Sequence, residues 1–251
     1  MKRLILAFAP LTLIACAPAL LAEQRETEHF TRSVAIDPGG TLHLKSFSGR
    51  VDISAYDGRE VSIEAVRRAP RERLEHIRLD VHGGGSAVYV DANKRDSSWW
   101  WDRHNNVVET DFTIRVPRNT NLDVSVFSAP VTVTRVEGTH KISGFSSKIR
   151  LDDVLGSIKA HTFSGGVDIR AKGWHDGQSL DVDTFSGDIS LRLPESAHGS
   201  VSFNSFSGHL NSDLPLTLKT GSRRSLKADL GRPGGGSLKF KTFSGSVRID
   251  R

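Results

Sequence analysis

The dipeptide Phe-Ser recurs seven times along this chain, at Phe47, Phe127, Phe145, Phe163, Phe185, Phe206 and Phe243. Glycine follows in five of them, at Gly49, Gly165, Gly187, Gly208 and Gly245, and the other two have Ala129 and Ser147 there. Three residues before each phenylalanine stands Leu44, Val124, Ile142, Ala160, Val182, Phe203 or Phe240. Four residues after it comes Val51, Val131, Ile149, Val167, Ile189, Leu210 or Val247. Alternation with period two on both sides describes two short strands, each burying one face. The apolar offsets are odd before the phenylalanine and even after it, a one-residue slip that needs a bend, which Ser-Gly supplies.

From Phe127 to Phe185 the spacings are 18, 18 and 22 residues, and the next is 21. These intervals are too short for a strand-helix-strand crossover and suit one coil of a β-solenoid. The sequence therefore predicts an all-β, single-stranded β-solenoid, or β-helix, of Phe-Ser-Gly repeats over residues 121–251, with coils about 4.8 Å apart. Neighbouring coils would then set Arg150 beside Asp168 and Asp152 beside Arg170. Leu193-Pro194, Leu214-Pro215 and Gly234-Gly235-Gly236 mark loops. The 37-residue interval from Phe206 to Phe243 is expected to hold a degenerate coil and a basic loop around Arg223 and Arg224.

Residues 23–120 read as an irregular, β-rich part that begins and caps the stack, with strands at 41–46, 51–55, 60–66, 77–81, 87–91 and 107–116 and a short helix within 70–76. Before them, residues 1–22 have the form of a secretion signal: Lys2 and Arg3, an apolar run from Leu4 to Ile14, then small residues to Ala22. The run falls short of the roughly 20 apolar residues that span a bilayer. Cleavage after Ala22 is the preferred processing and takes 22 of 251 residues, leaving 229. Leu13-Ile14-Ala15-Cys16 also resembles a lipobox, whose use would make Cys16 a lipidated N-terminus. The expected location is the periplasm, or peripheral association with the outer membrane if Cys16 is lipidated. Cys16 is the sole cysteine, so no disulfide is expected. The formal charge of +5 becomes +3 without Lys2 and Arg3, and its even spread argues against a nucleic-acid partner.

Serial Thr-Phe-Ser-Gly strings carry a family resemblance. Thr184-Phe185-Ser186-Gly187-Asp188-Ile189-Ser190-Leu191, the closing Thr242-Phe243-Ser244-Gly245-Ser246-Val247-Arg248-Ile249, and Ile114-Arg115-Val116-Pro117 before the first regular coil resemble the bacterial "putative adhesin" family. That family is a domain of unknown function described as a β-solenoid in exported proteins, and the resemblance covers almost all of the chain after residue 22. The family name implies adhesion, with a part in envelope-stress sensing or signalling as the alternative, while export and repeats without catalytic chemistry lead to a non-enzymatic binding, adhesin-like or scaffold role in the envelope. The resemblance brings no active-site residues with it.

The sequence itself has no His-Glu-x-x-His, Gly-x-Ser-x-Gly or phosphate loop. Asp168, Asp181, Asp183 and Asp188 could serve a polysaccharide-acting β-helix enzyme as acid and base, but solvated strand faces explain them more simply. His161 with His140 or His209 reads as polar surface rather than a metal site. No cofactor, metal or calcium is expected. Trp99-Trp100-Trp101 lies in a polar loop between strands, where three adjacent rings cannot all face one way; it reads as a plug over the stack or a contact for ligand. The phenylalanine ladder could point outward as a binding stripe or inward as a corner stack, and burial is the expectation for so apolar a residue. The expected partner is an envelope glycan or protein whose identity the sequence does not name. The final strand, 246–251, is expected to be the open edge of the stack, kept monomeric by Arg248, Asp250 and Arg251.

Overall fold

The computed structural model describes residues 25–95, 107–222, 224–232 and 234–251. Cys16 and Trp99–Trp101, with the signal at 1–22, lie outside the described residues. Among the described residues eighteen strands make up one continuous sheet, with one short helix between the second and third. β1 (Arg25–Tyr56), β2 (Glu60–Pro70), α1 (Arg71–His76), β3 (Ile77–Arg95) and β4 (Glu109–Pro117) come first. Eight strands then run as four coils: β5 (Asn121–Ser128) with β6 (Val131–Thr134), β7 (His140–Ser146) with β8 (Ile149–Val154), β9 (Ile158–Ser164) with β10 (Val167–Ala171), and β11 (Ser179–Ser186) with β12 (Ile189–Arg192). The last six are β13 (Gly199–Ser205), β14 (Leu210–Ser212), β15 (Leu216–Gly221), β16 (Ser225–Leu230), β17 (Gly236–Ser244) and β18 (Val247–Asp250).

Coils stack through parallel pairing at matched positions. Val124 faces Ile142, Ile142 faces Ala160, Ala160 faces Val182, and on the second strands Val131, Ile149, Val167 and Ile189 follow one another. All eight are essentially inaccessible. This is the column expected from period two: the alternate residues enter the interior and remove apolar area from water along the whole stack. Outward positions carry the expected ion pairs, Arg150 to Asp168 at 3.6 Å and Arg170 to Asp152 at 3.3 Å. A short third side closes the first of these coils. There Glu137 bridges Asn119 and Leu155, over buried Val136 and Val154.

Spatial order departs from chain order at both ends. Residues 41–56 of β1 lie between β5 and β6 on one side and β3 and β4 on the other, so the β3–β4 segment is stacked outside β1 although it follows it in sequence. Antiparallel β2 covers β4, and residues 25–35 of β1 cover β2. In this cap Arg67 is buried, with Nη1 donating to Glu28 at 2.5 Å and Nη2 to the Ile77 carbonyl.

At the other end β17 pairs with β11 on one edge and β13 on the other, and β18 sits between β12 and β14. The expected open edge at 246–251 is therefore wrong. The last coil is internal, because the loop from β12 to β13 leaves room for one coil and β17 fills it with Leu238 and Phe240, both fully buried. Antiparallel β16 covers β13, and β15 covers β16. The interval after Phe206 thus holds a hairpin lying across the stack instead of a degenerate coil, since its strands run antiparallel to the coils.

His140 also departs from expectation. It is completely buried beside the short third side rather than on a polar surface, because it stands at an inward position of β7, opposite Leu122 and Ile158. Burial pushes its pKa down to about 4, against weaker opposing help from the backbone of Leu155 and Val136. An unfolded histidine takes a proton near pH 6.5. Between there and about pH 4 the unfolded chain binds a proton that the folded chain refuses, so stability should be whole above pH 6.5 and fall by about 3 kcal/mol by pH 4. Urea midpoints across that range should drop in the wild type and flatten in His140→Leu; parallel slopes for the two proteins would remove His140 as the cause.

Candidate functional site

The first strand of each coil keeps its alternation up to and through the phenylalanine. Ser46, Val126, Gly144, Thr162, Thr184, Ser205 and Thr242, one residue earlier, all point inward and are buried. The ring that follows must point out. Phe47, Phe127, Phe145, Phe163, Phe185, Phe206 and Phe243 are 38–53% exposed, which corrects the expected burial. The slip between strands occurs after the ring, at Ser-Gly, so the second strand's phase never reaches back to it.

What holds the rings at the corner is one another. Moving along the stack from Phe47, the order is Phe127, Phe145, Phe163, Phe185, Phe243 and Phe206, with centroids 4.6–5.0 Å apart and planes within 14° of parallel. Coil spacing of about 4.8 Å dictates the contact. Six such steps make a row about 29 Å long. Each inner ring has both faces against neighbours and shows its edge to solvent. At the far end the Arg224 guanidinium lies 4.5 Å from the Phe206 centroid and covers the last face. The serines after the rings form a second exposed row, Ser128, Ser146, Ser164, Ser186, Ser207 and Ser244.

Troughs run along both strand faces. One, of about 600 Å³, runs along the first strands beside Phe163, Phe185, Phe243 and Phe206, with Asp183, Lys241 and Arg224 among its lining. The other, of about 480 Å³, lies along the second strands between Lys148, Asp168, Asp188 and Arg248. A further one, of about 550 Å³, meets Phe206 and Arg224 at the end of the ridge. Near the opposite end a smaller aromatic group, His82 on Tyr89 on His43, stands four residues before Phe47 in its coil.

The acidic residues do not gather into one site. Asp168 pairs with Arg150, Asp183 lies 3.7 Å from His161, Asp181 faces Lys159 and Lys239 across the sheet, and Asp188 accepts a hydrogen bond from the Ser246 amide at 2.8 Å. Among the described residues no group of three or more His, Cys, Asp or Glu is placed to hold a metal ion. No helix among them is long and apolar enough to cross a membrane.

Residues 41–250 match the family model described as Toastrack DUF4097. A Clostridium sporogenes ATCC 15579 protein described as a "putative cell adhesion protein" superposes with a TM-score of 0.48 at 13% identity, over 89% of this chain and 99% of its own. A Bacteroides fragilis NCTC 9343 "putative adhesin" gives 0.41 at 12% identity, over 88% of this chain and 97% of its own. No curated protein matches the chain.

Proposed function

The chain belongs to the Toastrack DUF4097 family, and from that premise we propose that it is a non-enzymatic binding or scaffold protein of the cell envelope, a β-solenoid of Phe-Ser-Gly repeats whose contact surface is the phenylalanine ridge. The export signal read at residues 1–22 supports a periplasmic location. One observation carries the reading: seven phenylalanines in a row, each about half exposed. Taking roughly 200 Å² per phenylalanine, the row presents roughly 600 Å² of apolar surface. That is at the top of the range for the largest patch of a typical soluble monomer, where such patches mark interaction sites.

The test is retention of the purified protein on envelope fractions, with peptidoglycan, polysaccharide and membrane assayed separately. Phe185→Ser combined with Phe243→Ser should lower retention on the fraction that binds by at least tenfold, while Arg170→Ser, on another face, should not. Equal retention of both variants would remove the ridge as the contact surface. Turnover of a glycan, lost on replacing one of the aspartates, would overturn the non-enzymatic reading.

A further inference from the structure

The geometry points to an anionic lipid bilayer as the surface on which this ridge docks, an inference that rests on the ridge being the contact surface. The exposed part of each inner ring is its edge. Sugars stack on aromatic faces, and from Phe127 to Phe206 those faces are filled by the neighbouring rings at 4.6–5.0 Å or, at Phe206, by Arg224, while Phe47 has one face against Phe127. A glycan therefore finds edges and a serine row but no stacking platform along the row.

A protein partner fits poorly for a different reason. A standard interface needs about 800 Å² per partner, in a patch of some 20–30 residues on each side. The ridge is one ring wide, so a protein would have to cover and desolvate the charged columns beside it. A bilayer makes no such demand. Rings standing at a corner of the coil can enter the boundary between headgroups and acyl chains, at the depth of roughly 5–10 Å reached by interfacial segments. The flanking polar columns stay at headgroup level, where long basic side chains keep their heads in water.

Charge says which bilayer. Beside Phe243 and Phe206, register sets Lys227 of β16, Ser202 of β13 and Lys239 of β17 in one outward row, and Ser225, Asn204 and Lys241 in the next. Arg224 joins them at the ridge itself. Four cations thus stand among three uncharged polar residues, with Asp181 and Asp183 at one margin, opposite Lys239 and Lys241. The net excess attracts a negatively charged headgroup layer, an attraction that salt screens. This association needs no acyl chain on Cys16.

The experiment uses processed protein, purified from cells expressing the full chain with Cys16→Ser so that no lipid anchor contributes. Co-sedimentation is measured with vesicles of phosphatidylcholine alone and of phosphatidylcholine with phosphatidylglycerol, at low and high salt. Binding should need phosphatidylglycerol and weaken with salt. Phe185→Ser with Phe243→Ser, checked by circular dichroism to be folded, should reduce it at least tenfold. Lys239→Gln with Lys241→Gln, which leaves every ring in place, should reduce it by about thirtyfold at low salt.

No binding to either vesicle by folded wild-type protein, or binding that neither variant changes, overturns the inference. If the phenylalanine variant instead loses retention on peptidoglycan or polysaccharide, the lipid assignment fails and the ridge survives as the contact surface. Phenylalanine-dependent dimers in light scattering, without vesicle binding, would likewise overturn the bilayer and give the ridge to a second copy of the chain. If the variant changes none of these, both readings fall.

Discussion

Gly187→Ala should destabilise the protein by about 3 kcal/mol or more, and Gly187→Val at least as much, because the damage is done by the first added carbon. A Cβ at Gly187 would stand 2.1 Å from the Gly165 carbonyl oxygen of the adjoining coil. That oxygen belongs to a backbone whose position is fixed by hydrogen bonds on both sides of it, so neither partner can yield cheaply. Gly187 does not have a positive φ, so the requirement is close approach of two backbones and not left-handed geometry. The same contact recurs along the stack, with a Cβ at Gly245 2.2 Å from the Gly187 oxygen and one at Gly208 1.9 Å from the Gly245 oxygen. For a protein of this size the melting temperature should fall by roughly 6–12 °C. Gly221→Ala, where a Cβ meets nothing within 4 Å, is the control and should move it little. A Gly187→Ala midpoint equal to that of Gly221→Ala would show that the coils can part locally at negligible cost.

The two coils without glycine explain themselves by the residue before the ring. In the five glycine-bearing coils that residue is Ser46, Thr162, Thr184, Ser205 or Thr242, and in the other two it is Val126 or Gly144. The hydroxyls turn into the corner, where Thr184 Oγ1 donates to the Gly187 carbonyl at 3.0 Å and Thr242 Oγ1 to that of Gly245 at 3.3 Å. Where the hydroxyl is missing, the residue two after the ring turns inward instead. Ala129 and Ser147 are both buried, and Ser147 Oγ accepts from the Ala129 amide at 3.2 Å. Gly144 makes room for this, since a Cβ there would lie 2.7 Å from Cβ of Ser147.

Much of this was written in the sequence, and some of it was readable only in hindsight. The inward columns follow from period two because apolar burial decides them locally. Ring direction was equally local: inward positions at odd offsets, continued by the small residue just before the ring, leave the ring itself outside. General preference for burying phenylalanine pointed the other way, and the stack's own shielding of ring faces outweighed it. The order of the coils is another matter. It depends on which strand edges meet, and period two is the same for every coil. One trace of it exists in the chain: the threonine before the ring occurs at Phe163, Phe185 and Phe243, which are consecutive in space, and not at Phe206, which lies beyond them.

Removing residues 236–251 should accordingly do far more than fray an end. If β17 and β18 formed the terminal coil, truncation would expose one edge and cost one coil's burial. Here both edges of the lost coil are in use, from Ser179 through Ser186 on one side and Gly199 through Ser205 on the other. Its interior residues, Leu238, Phe240, Val247 and Ile249, are at most 1% exposed. Single truncation of such a residue, Phe240→Ala, should cost about 3–5 kcal/mol. Loss of the whole coil opens a slot about two strand spacings wide, roughly 10 Å, between β11–β12 and β13–β14, and leaves unpaired edges and apolar columns facing water across it. With total stabilities of roughly 5–15 kcal/mol, that exceeds what the end of the stack can bear. We expect a chain ending at Gly235 to aggregate, or to keep a folded N-terminal portion while residues beyond β12 become sensitive to limited proteolysis. A soluble truncated protein melting within a few degrees of the wild type, with β13 still protected, would mean that β13–β14 closes directly onto β11–β12. In that case the inserted coil would contribute little that the neighbours cannot supply to each other.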